Sequence, residues 1–264
     1  MNSKISRLAL ALGLFASSAA ALAANPILWV SDSSSRLETI DVVTGATTLV
    51  GTMGAVMFDI AFSPSGQLYG IDGTSLYSIN SNNGVTTVIG GSGGGNINSL
   101  TFGSDGTLYG ASNALYKFNV ATGARAAVGA SFSNGATSSG DLAFIGGNLY
   151  LSTSSSSSDH LQRISTSTGA NTDIGSIGFG SVYGLSSPNG SNLFGFSGTN
   201  VLSIDVTTGL GNVIATANGA ALGTVFGSAF RSEAVAAVPE PETYALMVVG
   251  LIAVGAFARR RKAA

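Results

Sequence analysis

Two aspartates at matching positions are the side chains best placed to do chemistry. Asp59 and Asp141 each stand three residues before a phenylalanine, in the tetrapeptides DIAF (59–62) and DLAF (141–144). Brought to one place, two carboxylates hold a hard cation such as Ca2+ through oxygen ligands. Singly, each serves as readily to cap a turn. His160, the one histidine, follows five serines at 154–158 and Asp159. Adjacent Ser, Asp and His cannot act as a triad without a scaffold that separates and aims them. That run is expected as a lengthened, exposed hairpin tip. The glycine-rich stretch 90–95 has neither the Gly-Lys-Ser/Thr nor the helix start that a phosphate cradle needs. It reads as a loop. The chain has no cysteine, which removes disulfides, thiolate metal sites and cysteine nucleophiles together.

Whatever positions the two aspartates is rich in β-structure. Of 264 residues, 37 are Gly and only 9% are charged, against 45% hydrophobic. That balance fits neither a disordered chain nor a nucleic-acid binder. The abundance of Gly, Ser, Thr and Asn argues against a helical bundle. Residues 24–238 carry five basic side chains against eleven acidic ones, a net charge of −6. The other six basic residues sit at the two ends, each cluster beside an apolar run. This is the charge pattern of membrane addressing.

The body is a repeat. The hexapeptides IDVVTG (40–45), INSNNG (79–84), FNVATG (118–123), ISTSTG (164–169) and IDVTTG (204–209) share one frame. Their starting positions are offset by 39, 39, 46 and 40 residues. Leu37, Leu76, Leu115, Leu161 and Val201 precede them by three positions, and Gly51, Gly90, Gly129 and Gly175 follow four of them by six. An aromatic recurs upstream as Trp29, Tyr69, Tyr109, Tyr150 and Phe194. Asp41 and Asp205 alternate in one slot with Asn80, Asn119 and Ser165, the residues of a turn. In the second unit strands are expected at 59–63, 67–71, 76–80 and 85–89, joined by turns containing Gly and Asn. Four strands in about 40 residues is the size of a β-propeller blade.

The first repeat opens at its second strand, 27–31, whereas a spare strand, 224–230, follows the last. Pairing the two completes a ring and removes the open edges. The expected fold is all-β: a five-bladed propeller over 24–231, followed by one C-terminal hydrophobic helix. On that fold Asp59 and Asp141 open innermost strands, near the mouth of the central channel. The units are similar to the tandem repeats of quinoprotein-like and YVTN-like propellers in the Asp-x-x-Thr-Gly turn at 41–45 and 205–209. Quinoprotein propellers carry recurrent tryptophans; the single Trp29 argues against a quinone, and no organic cofactor is expected.

Residues 1–23 read as a secretory signal: Lys4 and Arg7, an apolar stretch at 8–15, and Ala21 and Ala23 framing a signal-peptidase site. At the other end a 232–242 linker carries Pro239, Glu240 and Pro241. An apolar helix at 243–258 and a basic stop of Arg259, Arg260, Arg261 and Lys262 follow, filling 259–264. An apolar run from 244 to 258 spans about 22 Å as a helix, short of a bilayer core of about 30 Å. The basic cluster belongs on the cytoplasmic side. The tripartite tail resembles the PEP-CTERM sorting signal of Gram-negative bacteria. That resemblance implies a membrane-embedded exosortase as processing partner, beside signal peptidase. It also implies export, an inner-membrane-anchored stage, and a destination at the cell surface or beyond, among exopolysaccharide. The expected function is binding or matrix association with polysaccharide or other matrix components, with no nucleic acid and no catalysis. The alternative is a propeller hydrolase or lyase acting on a sugar or lactone at the channel mouth.

Overall fold

The computed structural model describes residues 25–219 and 222–234. The signal segment, the Pro-Glu-Pro motif, the apolar helix and the basic tail lie outside the described residues. Twenty strands follow in chain order. The first three are β1 (Ile27–Asp32), β2 (Arg36–Asp41) and β3 (Thr47–Thr52). Next come β4 (Asp59–Phe62), β5 (Leu68–Ile71), β6 (Ser75–Ile79) and β7 (Thr86–Gly91). The third group is β8 (Ser99–Phe102), β9 (Leu108–Ala111), β10 (Leu115–Phe118) and β11 (Arg125–Val128). The fourth is β12 (Ser138–Ile145), β13 (Asn148–Thr153), β14 (His160–Ile164) and β15 (Asn171–Ser176). The last are β16 (Val182–Ser186), β17 (Leu193–Ser197), β18 (Asn200–Ile204), β19 (Gly211–Thr216) and β20 (Val225–Phe230).

These strands form five four-stranded antiparallel sheets, and the strand left over at the C-terminus completes the first of them. β20 pairs with β1 in the register Leu28 to Phe230 and Trp29 to Ala229. The chain is a five-bladed propeller closed by its own ends. In the second blade the expected strands differ from the observed ones by one or two residues at their ends, the usual latitude of a frayed terminus.

Why these residues repeat becomes physical at the blade interfaces. Five buried apolar clusters lie one to an interface: Leu37 with Ile60 and Phe62, Leu76 with Leu100 and Leu108, Leu115 with Leu142 and Leu149, Leu161 with Leu185 and Leu193, Val201 with Leu28 and Val30. Each such side chain contributes about 1.5–3 kcal/mol by leaving water. In four of the five blades the recurrent aromatic meets the phenylalanine at or near the end of the next blade's first strand. Centroid separations are 5.5 Å for Trp29 and Phe62, 5.3 Å for Tyr69 and Phe102, 5.7 Å for Tyr109 and Phe144, and 5.6 Å for Phe194 and Phe230. Between the fourth and fifth blades that phenylalanine position is taken by Ser187.

The two glycines of the repeat meet each other. A Cβ on Gly51 would lie 1.9 Å from the carbonyl oxygen of Asn83, beside Gly84 of the next blade's turn. Gly90 stands in the same relation to Thr122 at 2.2 Å, Gly129 to Thr168 at 1.9 Å and Gly175 to Thr208 at 2.3 Å. The turn glycines Gly45, Gly84, Gly123, Gly169 and Gly209 have φ between 72° and 84°, which side chains rarely adopt. Ahead of them the Asp or Asn side chain accepts backbone N–H bonds, as from Val43 and Thr44 to Asp41 at 2.9 Å. The fifth blade has Ala215 where the others have glycine, and only the turn glycine of the first blade is left to make the close contact. There the Thr216 carbonyl approaches Gly45, 2.1 Å from the position its Cβ would take.

Gly51→Ala should therefore cost about 2 kcal/mol by overpacking, lowering Tm by roughly 4–8 °C for a domain this size. Gly91→Ala, with open space at its Cβ, should change Tm by about 1 °C or less. Thermal denaturation of the two variants checks the interface. Deleting residues 222–231 should expose the edge of β1 and sharply reduce soluble yield. A truncated protein as soluble and heat-resistant as the parent would contradict ring closure.

Candidate functional site

The first strands of the blades, β20, β4, β8, β12 and β16, surround the axis and start at one end of it. Just ahead of or at their starts lie Phe226, Phe58, Asn98, Gly140 and Tyr183, which with Ser139 line a cavity of about 190 Å3. Phe58 and Tyr183 both pack against Phe226, with centroids 6.0 Å apart in each case and interplanar angles of 89° and 58°. Phe58 is 37% exposed. On the Asn98 side chain, Nδ2 donates to the Ser138 carbonyl at 3.1 Å, while the buried Oδ1 has no hydrogen-bond partner.

One residue deeper the five positions hold Gly227, Asp59, Ser99, Asp141 and Gly184. The structure thus brings Asp59 and Asp141 together, directly beneath the mouth and fully buried. Their oxygens are engaged. Asp59 Oδ1 accepts from the Ile60 N–H at 2.7 Å and Oδ2 from the Leu100 N–H of the next blade at 2.5 Å. Asp141 Oδ1 accepts from Leu142 N–H at 2.6 Å, and Oδ2 from Leu185 N–H of the next blade at 2.6 Å and from the Ser228 hydroxyl at 3.3 Å. Each carboxyl bridges its own strand to its neighbour with acceptors on both prongs, which Asn could not supply. Glycine opposite is required: a Cβ on Gly227 would sit 2.4 Å from Asp59 Oδ1.

Burial pushes both carboxyls well above the usual carboxylate range, and the negative charge of Asp59 raises Asp141 further. The two lie within hydrogen-bonding reach of each other, the arrangement in which a carboxyl pair retains a proton. Sequence reasoning missed a third member. Glu233, in the turn after β20, closes the opposite end of the axis, accepting from Phe230 N–H at 3.4 Å. Burial, then the charge of Asp141, raises it as well. Among the described residues no group of three or more His, Asp and Glu is arranged to hold a metal ion.

His160 lies away from this axis. Its Nδ1 is 3.0 Å from Asp173 on the adjacent strand β15. Ser154 to Ser157 are exposed as expected of a hairpin tip, but Asp159 turns inward. It accepts from the Ser139 hydroxyl at 2.5 Å and the Val182 N–H at 2.7 Å, another link between blades. The glycine-rich stretch is the loop expected, running from the end of β7 to β8 with Gly93 and Gly94 at positive φ.

The family match adds to this geometry. Residues 59–231, from the first residue of β4 to just past β20, match a family described as a repeat of unknown function, DUF6923. The chain belongs to that family. Residues 237–262 match the PEP-CTERM protein-sorting motif. No curated protein matches this DUF6923 chain in sequence. A chain of the "Crystal structure of Nidogen/Laminin Complex" is similar at 12% identity over 79% of this chain and 100% of its own, with a TM-score of 0.57. A second solved structure, described as "The de novo evolutionary emergence of a symmetrical protein is shaped by folding constraints", is 18% identical over 79% of this chain and 95% of its own, with a TM-score of 0.51. At such identities the likeness is one of fold.

The raised carboxyls fix a sign for the pH dependence. Above about pH 4 the unfolded chain has released protons that the native axis still holds. Stability contributed by these groups is therefore lost as pH rises from there through the native pKa values. Tm should fall between pH 5.5 and pH 8, and Asp59→Asn with Asp141→Asn should flatten that slope while lowering Tm overall. An unaltered slope in the double variant, by calorimetry, would show that the pair titrates normally.

Proposed function

We propose that this DUF6923 propeller is a binding protein of the cell surface or extracellular matrix, associating there with exopolysaccharide or other matrix components. The PEP-CTERM motif marks the chain for export and sorting by an exosortase. Within the described residues no helix is long and apolar enough to cross a membrane; the apolar run at 243–258 is the proposed anchor before processing. The observation that carries the binding reading is the mouth itself, where aromatic side chains face solvent above carboxyls already engaged by backbone N–H groups. The hydrolase or lyase alternative needs a carboxyl at the surface of the mouth, and both candidates lie one residue beneath it. The chain leaves the axis at the end closed by Glu233, and the sorting motif begins three residues beyond Ala234.

A divalent cation such as Ca2+ at Asp59 and Asp141 is a second reading, favoured by the facing carboxyls. Its entry would displace the retained proton and loosen the N–H bonds of Leu100 or Leu185. Calcium would raise the Tm of the wild-type chain, but not of the double Asn variant, if that site exists.

Replacing Pro239, Glu240 and Pro241 with Ala should leave an unprocessed, membrane-retained form in a host that has an exosortase. Immunoblots of membrane and surface fractions check this. The wild-type chain should also co-sediment with the matrix polymer of that host. Normal processing of the variant would reduce the tail to an anchor, and loss of co-sedimentation would overturn the binding reading.

A further inference from the structure

We propose that the axial mouth is a binding site for an organic ammonium group, held by the rings of Phe58, Tyr183 and Phe226 and by the amide oxygen of Asn98. This rests on the binding reading above and names its chemistry. Four observations converge on a cation with N–H donors. Three aromatic rings border a cavity of about 190 Å3, and the faces of such rings attract positive charge. The rings meet at angles of 89° and 58°, so they wall the cavity from different directions and do not form one flat surface. Asn98 lines the cavity but its Oδ1 is buried without a donor, a cost that an N–H group from a ligand removes once the amide turns toward the cavity. Asp59 and Asp141 lie directly beneath, so what charge the pair carries is negative, and the propeller as a whole is acidic.

A neutral sugar fits less well. Saccharides need several directional partners, and beside Asn98 the cavity offers only the Tyr183 hydroxyl and Ser139, whose hydroxyl already donates to Asp159. The ammonium could be borne by an amino sugar or by a lysine side chain, two sources with one chemistry.

The probes are n-butylammonium and its neutral counterpart n-butanol, followed by ligand-observed NMR on the full chain in mild detergent. Butylammonium should bind and butanol should not. Phe226→Leu and Phe58→Leu, which keep apolar volume but remove the rings, should each weaken butylammonium about fivefold or more. Near-ultraviolet circular dichroism and Tm identify any variant that fails to fold. Competition by glucosamine but not glucose would assign an amino sugar, and competition by Nα-acetyl-lysine amide would assign a protein side chain. Equal binding of butanol, or unchanged affinity in both folded variants, would overturn the ammonium site. So would displacement by methyl glucoside in place of the amines. Those failures leave co-sedimentation of the wild-type chain with matrix intact, and so are distinct from failure of the binding reading.

Discussion

Five blades share one axis only if neighbouring blades approach to backbone contact, and this constraint governs the rest of the molecule. At the outside, Gly51, Gly90, Gly129 and Gly175 lie against the carbonyls of the next blade's turn, where no side chain fits. At the inside, Gly227 makes room for Asp59 and Gly184 for Ser228. Glycine is thus used where a Cβ would hold the blades apart. The entropic cost of so many glycines is offset by the apolar clusters that close contact creates, one at each interface.

The axis shows the other side of close approach. Strands that converge on a narrow channel leave inner-edge N–H groups with no fifth strand to pair with, and a buried, unpaired N–H is expensive. Asp59 and Asp141 satisfy these groups on two neighbouring strands each. Burying two carboxyls side by side would cost more than the hydrogen bonds return if both were charged. Their raised proton affinity removes one of those charges, so an axis built of acids is compatible with a stable ring.

Much of this was legible because it repeats. The hexapeptide frame fixed the blade number, and the unmatched strand at each end of the body revealed that the ring closes on itself. The alternation of Asp, Asn and Ser at 41, 80, 119, 165 and 205 identified a turn slot, since each of these side chains can accept from the N–H groups ahead of it. The mouth was not legible. Phe58, Asn98, Gly140, Tyr183 and Phe226 share a position but no single residue type, so no period betrays them. They gain meaning only when the axis sets them side by side. Glu233 was hidden for a related reason: it lies beyond the last repeat, and only a chain that turns back under its own channel brings it to Asp141. The aspartates stood between these cases, repeated twice and hence visible, yet too few to tell a ligand from a hydrogen-bond acceptor.

Departures from the repeat are therefore where function is most economically sought. A blade interface tolerates little variation, because aromatic, leucine and glycine must all fit the same neighbour. Ser187, in place of the phenylalanine that the other blades have, relaxes that fit at one interface, and its backbone N–H is turned to Glu233 at the closed end of the axis. At the open end the same freedom yields aromatic rings from three blades and an amide from a fourth. The two ends thus diverge under one constraint: one is sealed by the segment that leads to the sorting motif, while the other presents side chains that blade packing does not require.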